Sequence, residues 1–318
     1  MNTTIEVYRG LVEERLADWT KALPDDPLYH RITYLLGLPA KRVRPVATLM
    51  GCALFGGDPR AALDQALGIE LFHNFTLMHD DIMDQAPLRR SQPTVHTKWN
   101  TAGAILSGDA LLVMAYQLMG TDPRVLPVFS QRALEVCEGQ EMDMGFETSD
   151  AVGVDDYLEM IRLKTAALLA GALEVGALRG GASEQDAKQL GRFGEHLGLA
   201  FQLRDDLLDA FGDPEKVGKR PGGDLRAGKK TFLLIRGLER SQELDRTELQ
   251  EELMKGPEVR DVQRMLRVLV ELGVPADTEA EVERHHRSAI AALDAVPAAE
   301  ENKTPLRELA DLLLQRAH

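Results

Sequence analysis

The chain has 318 residues, a formal net charge of −14, 44% hydrophobic and 28% charged residues, and only two cysteines. Such acidity excludes a broad nucleic-acid-binding face, which needs an excess of base to neutralise phosphates, and two cysteines exclude a disulfide-built scaffold. The length allows one large domain or two ordinary ones.

Residues 1–10 lack a basic segment followed by an apolar core, so no signal peptide is expected. Apolar residues recur at helical spacing through 61–83, 102–119, 154–178, 184–211 and 259–272. No sustained period-2 run rich in Val, Ile, Thr and Tyr is present, so an all-α protein is predicted. Gly and Pro punctuate 24–27, 56–60, 120–127 and 179–183, which read as turns between helices. None is long or polar enough to act as an interdomain linker, so residues 1–318 are expected to form a single domain. Cys52 and Cys137 fall in apolar helical stretches and read as two buried thiols of a reducing compartment. The most apolar stretch, 165–178, is too short to span a bilayer and carries Glu174. A soluble, cytoplasmic chain without a stable membrane anchor is expected.

The chemistry-bearing residues come in clusters. The first is Lys41-Arg42-Val43-Arg44-Pro45, with Pro45 suited to opening a helix. Next comes Asp80-Asp81-Ile82-Met83-Asp84, followed by Arg89 and Arg90, and the same acidic pattern returns as Asp205-Asp206-Leu207-Leu208-Asp209. Residues at i, i+1 and i+4 of a helix lie on neighbouring parts of one face. Three carboxylates there repel one another unless a cation lies between them. Two such faces turned towards each other would hold hard divalent cations, and Mg²⁺ prefers carboxylates combined with substrate phosphates.

One acidic run in an Asp-rich chain is unremarkable, as Asp155-Asp156-Tyr157-Leu158-Glu159 shows. Arg162 and Lys164 follow that run, but no glycine-rich segment does, and it reads as an acidic helix start. The two DDxxD copies differ in their company. The second is followed by residues 212–230, with five glycines, two prolines and the six bases Lys216, Lys219, Arg220, Arg226, Lys229 and Lys230. A glycine-rich loop carrying Lys and Arg beside a carboxylate cluster suits a lid over phosphates. Alternating cation, anion and cation suits a polyphosphate. No GxxxxGK[ST], kinase motif set or GxGxxG is present, which disfavours nucleotide phosphoryl transfer. A helical cavity gripping a diphosphate remains.

These residues resemble the trans-isoprenyl diphosphate synthases, the polyprenyl synthetase family. The resemblance runs from about Pro39 to Leu238. Besides the motifs above it includes His73, His79, Pro93-Thr94-Val95-His96, Gly108-Asp109, Gly139-Gln140-Glu141-Met142-Asp143, Lys164-Thr165, Phe201-Gln202 and Gly228-Lys229-Lys230-Thr231. It implies an isoprenoid-synthase-type helical bundle around a central cavity, a homodimer through 102–136, and catalysis with Mg²⁺, three ions per active site. Asp80, Asp84 and Asp205 would ligate metal, with Asp81, Asp206 and Asp209 completing or supporting the cluster. Arg89, Lys164, Lys219 and Lys229 would help hold an allylic diphosphate, whose reacting end Thr165 and Gln202 would line. Lys41, Arg44, His73 and Arg90 would bind isopentenyl diphosphate. Two positions depart from the family pattern: Ala40 and Ser91 stand where Gly is usual, and neither change removes a ligand.

Product length should depend on the helix carrying Asp80. Phe75 lies five positions before Asp80, Thr76 four and Phe72 eight, and Phe72 and Phe75 can share a face. An aromatic floor with no insertion in the first motif suits, by resemblance, a geranylgeranyl (C20) synthase, with farnesyl (C15) as the alternative. Three rivals are weaker. A terpene cyclase of the same fold would leave Lys41, Arg44 and Arg90 redundant. A di-iron carboxylate bundle could use Glu70-Leu71-Phe72-His73 and Glu283-Arg284-His285-His286, but leaves both DDxxD motifs unexplained. A non-catalytic subunit would be expected to have lost Asp from its motifs.

Overall fold

Apolar stripes at helical spacing, capped by Asp, Asn and Pro at the turns, give helix nearly everywhere in the computed structural model, which describes residues 3–149, 151–213 and 221–315. The longer elements are α1 (Thr3–Lys21), α2 (Pro27–Leu36), α3 (Val43–Leu54), α4 (Leu63–Met83), a two-stranded hairpin of β1 (Leu88–Arg89) and β2 (Gln92–Pro93), α5 (Val95–Lys98), α6 (Thr101–Met119) and α7 (Val125–Thr148). Then follow α8 (Val154–Ile161), a π turn at Arg162–Ala166, α9 (Ala167–Arg179), α10 (Glu184–Phe211), α11 (Gly223–Ala227), α12 (Phe232–Glu243), α13 (Glu248–Leu253), α14 (Val262–Glu271), α15 (Val274–Asp294) and α16 (Glu300–Leu314). The all-α expectation holds, and the periodic stretches read from sequence match α4, α6, α8–α9, α10 and α14.

Local chemistry sets the boundaries. Asp26 caps α2 by accepting from the Leu28 N–H at 2.9 Å, with Pro27 in the first turn. Asn100 caps α6 through the Gly103 N–H at 2.7 Å. The acidic run at 155–159 does start a helix: Asp156 reaches back to the Gly153 N–H at 3.0 Å. The break expected at 120–127 ends earlier, because α7 begins at Val125. Pro127 sits in its first turn, where a missing N–H costs nothing.

Two compact units emerge. The first comprises Met1–Ala133, Leu168–Gly191 and Val296–Leu306, and the second comprises Leu134–Ala167, Arg192–Ala295 and Arg307–His318. In the first, α4 packs against α6 and α3. Gly108 of α6 leaves the space into which the His79 ring of α4 fits, and His79 Nε2 lies 3.1 Å from the Ile105 carbonyl. In the second, the core joins Tyr157 and Met160 of α8, Leu203 and Leu207 of α10, Phe232 of α12, Met265 and Leu269 of α14 and Val282 of α15. Each such buried side chain contributes about 1.5–3 kcal/mol, far above helix propensity differences of under ~1 kcal/mol. Packing therefore decides these helices.

Two expectations need correction. Cys52 is buried, but Cys137 is exposed, because it falls on the outer side of α7. The segment 165–178 is not the most membrane-like: Thr101–Met119 is long and apolar enough to cross a membrane by length and composition, and 39% of it is buried. Its exposed side carries Ile105, Leu106 and Val113.

Candidate active site

The first acidic motif ends a helix. Asp80 and Asp81 lie in the last turn of α4, and Asp84 is its C-cap, donating its N–H to the Asp80 carbonyl at 2.9 Å. The second motif likewise occupies the last two turns of α10. Carboxylates at a helix C-terminus face the negative pole and cost about 0.3–1 kcal/mol each. Asp155 and Asp156, at the start of α8, face the positive pole. The DDxxD copies thus break a local rule that the third acidic run obeys.

In each copy the middle carboxylate is buried, with Asp81 2% and Asp206 4% exposed. Asp81 lies in the first unit and is held by Arg89, whose Nε is 2.9 Å from both oxygens and whose Nη2 is 2.8 Å from Oδ1. Burial pushes the Asp81 carboxyl up, and Arg89 offsets part of that rise. Arg89 Nη2 also comes within 3.6 Å of Asp80. Asp84 is exposed.

A hairpin aims the neighbouring bases. Arg89 pairs with Gln92, and the two-residue connection Arg90-Ser91 has positive φ at both positions, 52° and 63°. That is the type I′ pattern, whose second position favours glycine. Ser91 therefore occupies a left-handed position, which gives its departure from the family pattern a conformational cost. Thr94 closes the base of the hairpin, donating its N–H to the Pro87 carbonyl and its hydroxyl to that of Ala86.

Around the start of α3, Arg42 is buried and structural. It donates to Glu70 at 2.6 Å, to Glu13 at 3.0 Å and to the Leu36 carbonyl at 2.6 Å. Its own φ is 51°, turning the chain between exposed Lys41 and half-buried Arg44. Arg44 Nη1 lies 3.4 Å from His73 Nε2. Guanidinium can only donate, so Nε2 accepts and His73 is neutral. Burial, then Arg44, Arg90, Arg89 and Arg42, hold the His73 pKa well below its ordinary value. Four cations around one neutral imidazole create a positive field suited to a diphosphate. Glu70 is committed to Arg42 and Asn74, which removes it from the di-iron reading.

Phe72 is buried and stacks against Phe75 at 5.5 Å and Phe129 at 5.3 Å between ring centroids. Phe75 is half-buried and meets His79, and Phe129 meets Tyr116. Thr76 returns its hydroxyl to the His73 carbonyl at 2.8 Å.

In the second unit, the π turn carries Lys164 and Thr165; such turns cluster at functional sites. Gly139 of α7 lets this turn approach closely, since a Cβ there would meet Lys164 N and Cα. One helical turn on, Asp143 receives Lys164 Nζ at 2.5 Å and lies 3.6 Å from Lys229 Nζ. Burial opposes ionisation of Asp143, but Lys229 and Lys164 hold its carboxyl below the ordinary value. Thr165 donates to Gln202 Oε1 at 3.2 Å, and Gln202 Nε2 donates to Asp206 Oδ1 at 3.1 Å. Tyr157 donates to the other Asp206 oxygen. Burial raises the Asp206 pKa to about 7 against these hydrogen bonds. Asp205 is exposed, and Asp209 accepts from the Asp224 N–H at 3.0 Å, tying the motif to the first turn of α11. Lys219 lies outside the described residues. Sequence reasoning assigned no role to Asp143 or Tyr157. Asp143 had a signal in its i+4 spacing from Gly139; Tyr157 lay in the run read only as a helix start.

Among the described residues, no group of three or more His, Cys, Asp or Glu side chains forms a protein-only metal cage. Mg²⁺ does not require one, being held by one or two carboxylates together with substrate phosphates. Asp80 and Asp84, one helical turn apart and partly or fully exposed, fit that mode, as does Asp205.

Helix-ending carboxylates flanked by Arg and Lys define an all-helical enzyme of diphosphate chemistry. Comparison with known proteins gives the same class. The polyprenyl synthetase family model matches residues 25–269. A short chain isoprenyl diphosphate synthase of Methanothermobacter thermautotrophicus is 36% identical over 98% of this chain and 97% of its own. A geranylgeranyl pyrophosphate synthase of Geoglobus acetivorans is 36% identical over 97% of both chains. A crystal structure of a geranylgeranyl pyrophosphate synthase is 40% identical, covers all of both chains and superimposes with a TM-score of 0.93. The chain belongs to the polyprenyl synthetase family and is a prenyltransferase. Catalysis in this family depends on Mg²⁺.

Proposed function

We propose that the protein condenses isopentenyl diphosphate with allylic diphosphates in 1′-4 head-to-tail steps, with geranylgeranyl diphosphate (C20) as the main product. The observation carrying this reading is the pair of helix-ending acidic motifs, each beside cations of its own unit. The names of the relatives at full coverage support the short-chain range, and the Phe72–Phe75 stack supports a floor near C20.

In this reading the chain works as a single domain. Asp80, Asp84 and Asp205 would hold three Mg²⁺ ions, whose chemistry is to neutralise the diphosphate as its charge develops. Lys164, Lys229, Lys219 and Arg89 donate to the remaining diphosphate oxygens. Thr165 and Gln202 present oxygens to the allylic carbon as its C–O bond breaks. Lys41, Arg44, His73 and Arg90 hold isopentenyl diphosphate so that its double bond attacks that carbon. The proton then lost goes to the released diphosphate, since among the described residues no neighbouring side chain is a suitable base. The exposed apolar side of α6 would pair with a second copy in a homodimer, and the enzyme would work in the cytoplasm.

The test is incubation with labelled isopentenyl diphosphate, Mg²⁺ and dimethylallyl, geranyl or farnesyl diphosphate in turn, followed by product sizing. C20 is expected. Arrest at C15 would make it a farnesyl diphosphate synthase, and no elongation from any primer would overturn the function.

A further inference from the structure

We propose that Tyr157 is a positioning residue for the allylic end of the reaction, acting through Asp206 and Gln202. The inference rests on the reading above, in which Thr165 and Gln202 line that end. Tyr157 is 2% exposed in the core of the second unit, among residues such as Met160, Leu203 and Leu207. Packing alone would be served by Phe. The buried hydroxyl instead donates to Asp206 Oδ2, and a buried hydroxyl must find such a partner.

The consequence runs along a chain of donors. Asp206 accepts on Oδ2 from Tyr157. Its second oxygen takes Gln202 Nε2 at 3.1 Å, which fixes which way the Gln202 amide points. Gln202 Oε1 then faces Thr165, which donates its single hydroxyl proton there at 3.2 Å. The order is therefore Tyr157 to Asp206, Gln202 to Asp206, and Thr165 to Gln202. It directs the Thr165 hydroxyl proton to Gln202 Oε1. It also engages both oxygens of Asp206, which sets the middle aspartate apart from exposed Asp205. Without the Tyr157 hydroxyl, Asp206 is held by Gln202 alone and is able to turn. The amide direction and the Thr165 proton then lose their fixed arrangement, while the residues that bind isopentenyl diphosphate lie in the other unit.

The decisive variant is Tyr157→Phe, which keeps the ring in the core and removes one oxygen. Initial rates are measured with farnesyl diphosphate and isopentenyl diphosphate at saturating Mg²⁺, with a separate KM for each substrate and a thermal melt. Expected is a tenfold to hundredfold fall in kcat, on the order seen for small misplacements of catalytic groups. The KM for isopentenyl diphosphate should stay within about twofold. Asp206→Asn should show the same split, and the double variant should be no slower than the worse single one. A Phe variant with a lowered melting temperature but wild-type kcat would assign Tyr157 to packing only and overturn the proposal, as would losses that simply multiply. If the Phe variant does not fold, wild-type kcat in Asp206→Asn overturns it equally. A wild-type enzyme that elongates nothing sinks the functional reading itself, which is a different result.

Discussion

Adding one methyl group at Gly139 should disable the enzyme, and adding one at Gly145 should not. Both glycines lie in α7. A Cβ on Gly139 would sit 2.7 Å from Lys164 Cα and 2.8 Å from the Leu163 carbonyl carbon, whereas ordinary contacts begin at 3.4 Å. These are backbone atoms, so no side chain can swing aside, and the π turn must retreat from α7 by about 1 Å. The strain should cost about 1–3 kcal/mol, partly offset by the ~1 kcal/mol gain in helix propensity. The larger effect is on geometry. Lys164 Nζ meets Asp143 at 2.5 Å from the displaced turn, and a 1 Å shift of a catalytic group costs about a hundredfold in rate. A Cβ on Gly145 would meet nothing within 4 Å, so Gly145→Ala should gain up to ~1 kcal/mol and keep its activity. Single-turnover elongation of farnesyl diphosphate, alongside urea unfolding, tests both variants. Full kcat in Gly139→Ala would refute the claim that this contact sets the position of Lys164.

Other outcomes follow from the same geometry. Ser91→Gly should stabilise the hairpin by about 1 kcal/mol, because the left-handed position suits glycine; a lower melting temperature would contradict the type I′ assignment. Phe75→Ala should lengthen the product beyond C20, and an unchanged product size would count against the aromatic floor. The third concerns acid stability. Arg284 donates to His285 Nε2 at 2.9 Å, so His285 carries its proton on Nδ1 and donates it to His196 Nδ1, 3.1 Å away. Glu281 lies 4.0 Å from His285, and Glu195 acts on His196. Burial and then Arg284 and His196 hold His285 down to about 4. Because that is below the unfolded value of about 6.5, the unfolded state takes up the extra proton. This stability is present above pH 6.5 and is lost as pH falls towards 4, by about 2 kcal/mol at pH 5. Urea unfolding at pH 7.5 and pH 5 measures it, and His285→Gln should flatten the difference.

The helices and both acidic motifs were legible because periodicity and repetition are local signals. Asp80, Asp84 and Asp205 were singled out by the family resemblance, within clusters of acid followed by base that the sequence displays. The supporting groups were not legible in the same way. Asp143 lies twenty-one positions from Lys164, and Tyr157 forty-nine from Asp206, and only folding brings each pair together. Tyr157 was hidden further by its own neighbours: the capping role of Asp155-Asp156 explained the run, so nothing drew attention to the aromatic beside it. Arg42 misled differently. It looks like its neighbours Lys41 and Arg44, and only its burial against Glu70 separates a structural cation from those beside it. Cys137 shows the limit of periodicity, which places an apolar residue on a helix without saying which side is covered.

The hairpin at Leu88–Pro93 has a consequence for how this family can vary. Surface loops ordinarily absorb insertions and deletions at little cost. Here Arg89 must turn inward to Asp81 while Arg90, one residue on, reaches the Leu38 carbonyl at 3.4 Å. Arg90 opens the left-handed two-residue turn and does not continue the strand, so inserting one residue ahead of Arg89 would push Arg89 into that turn and away from Asp81. The segment should therefore tolerate changes of residue but not of length, although it lies on the surface and has no core to constrain it.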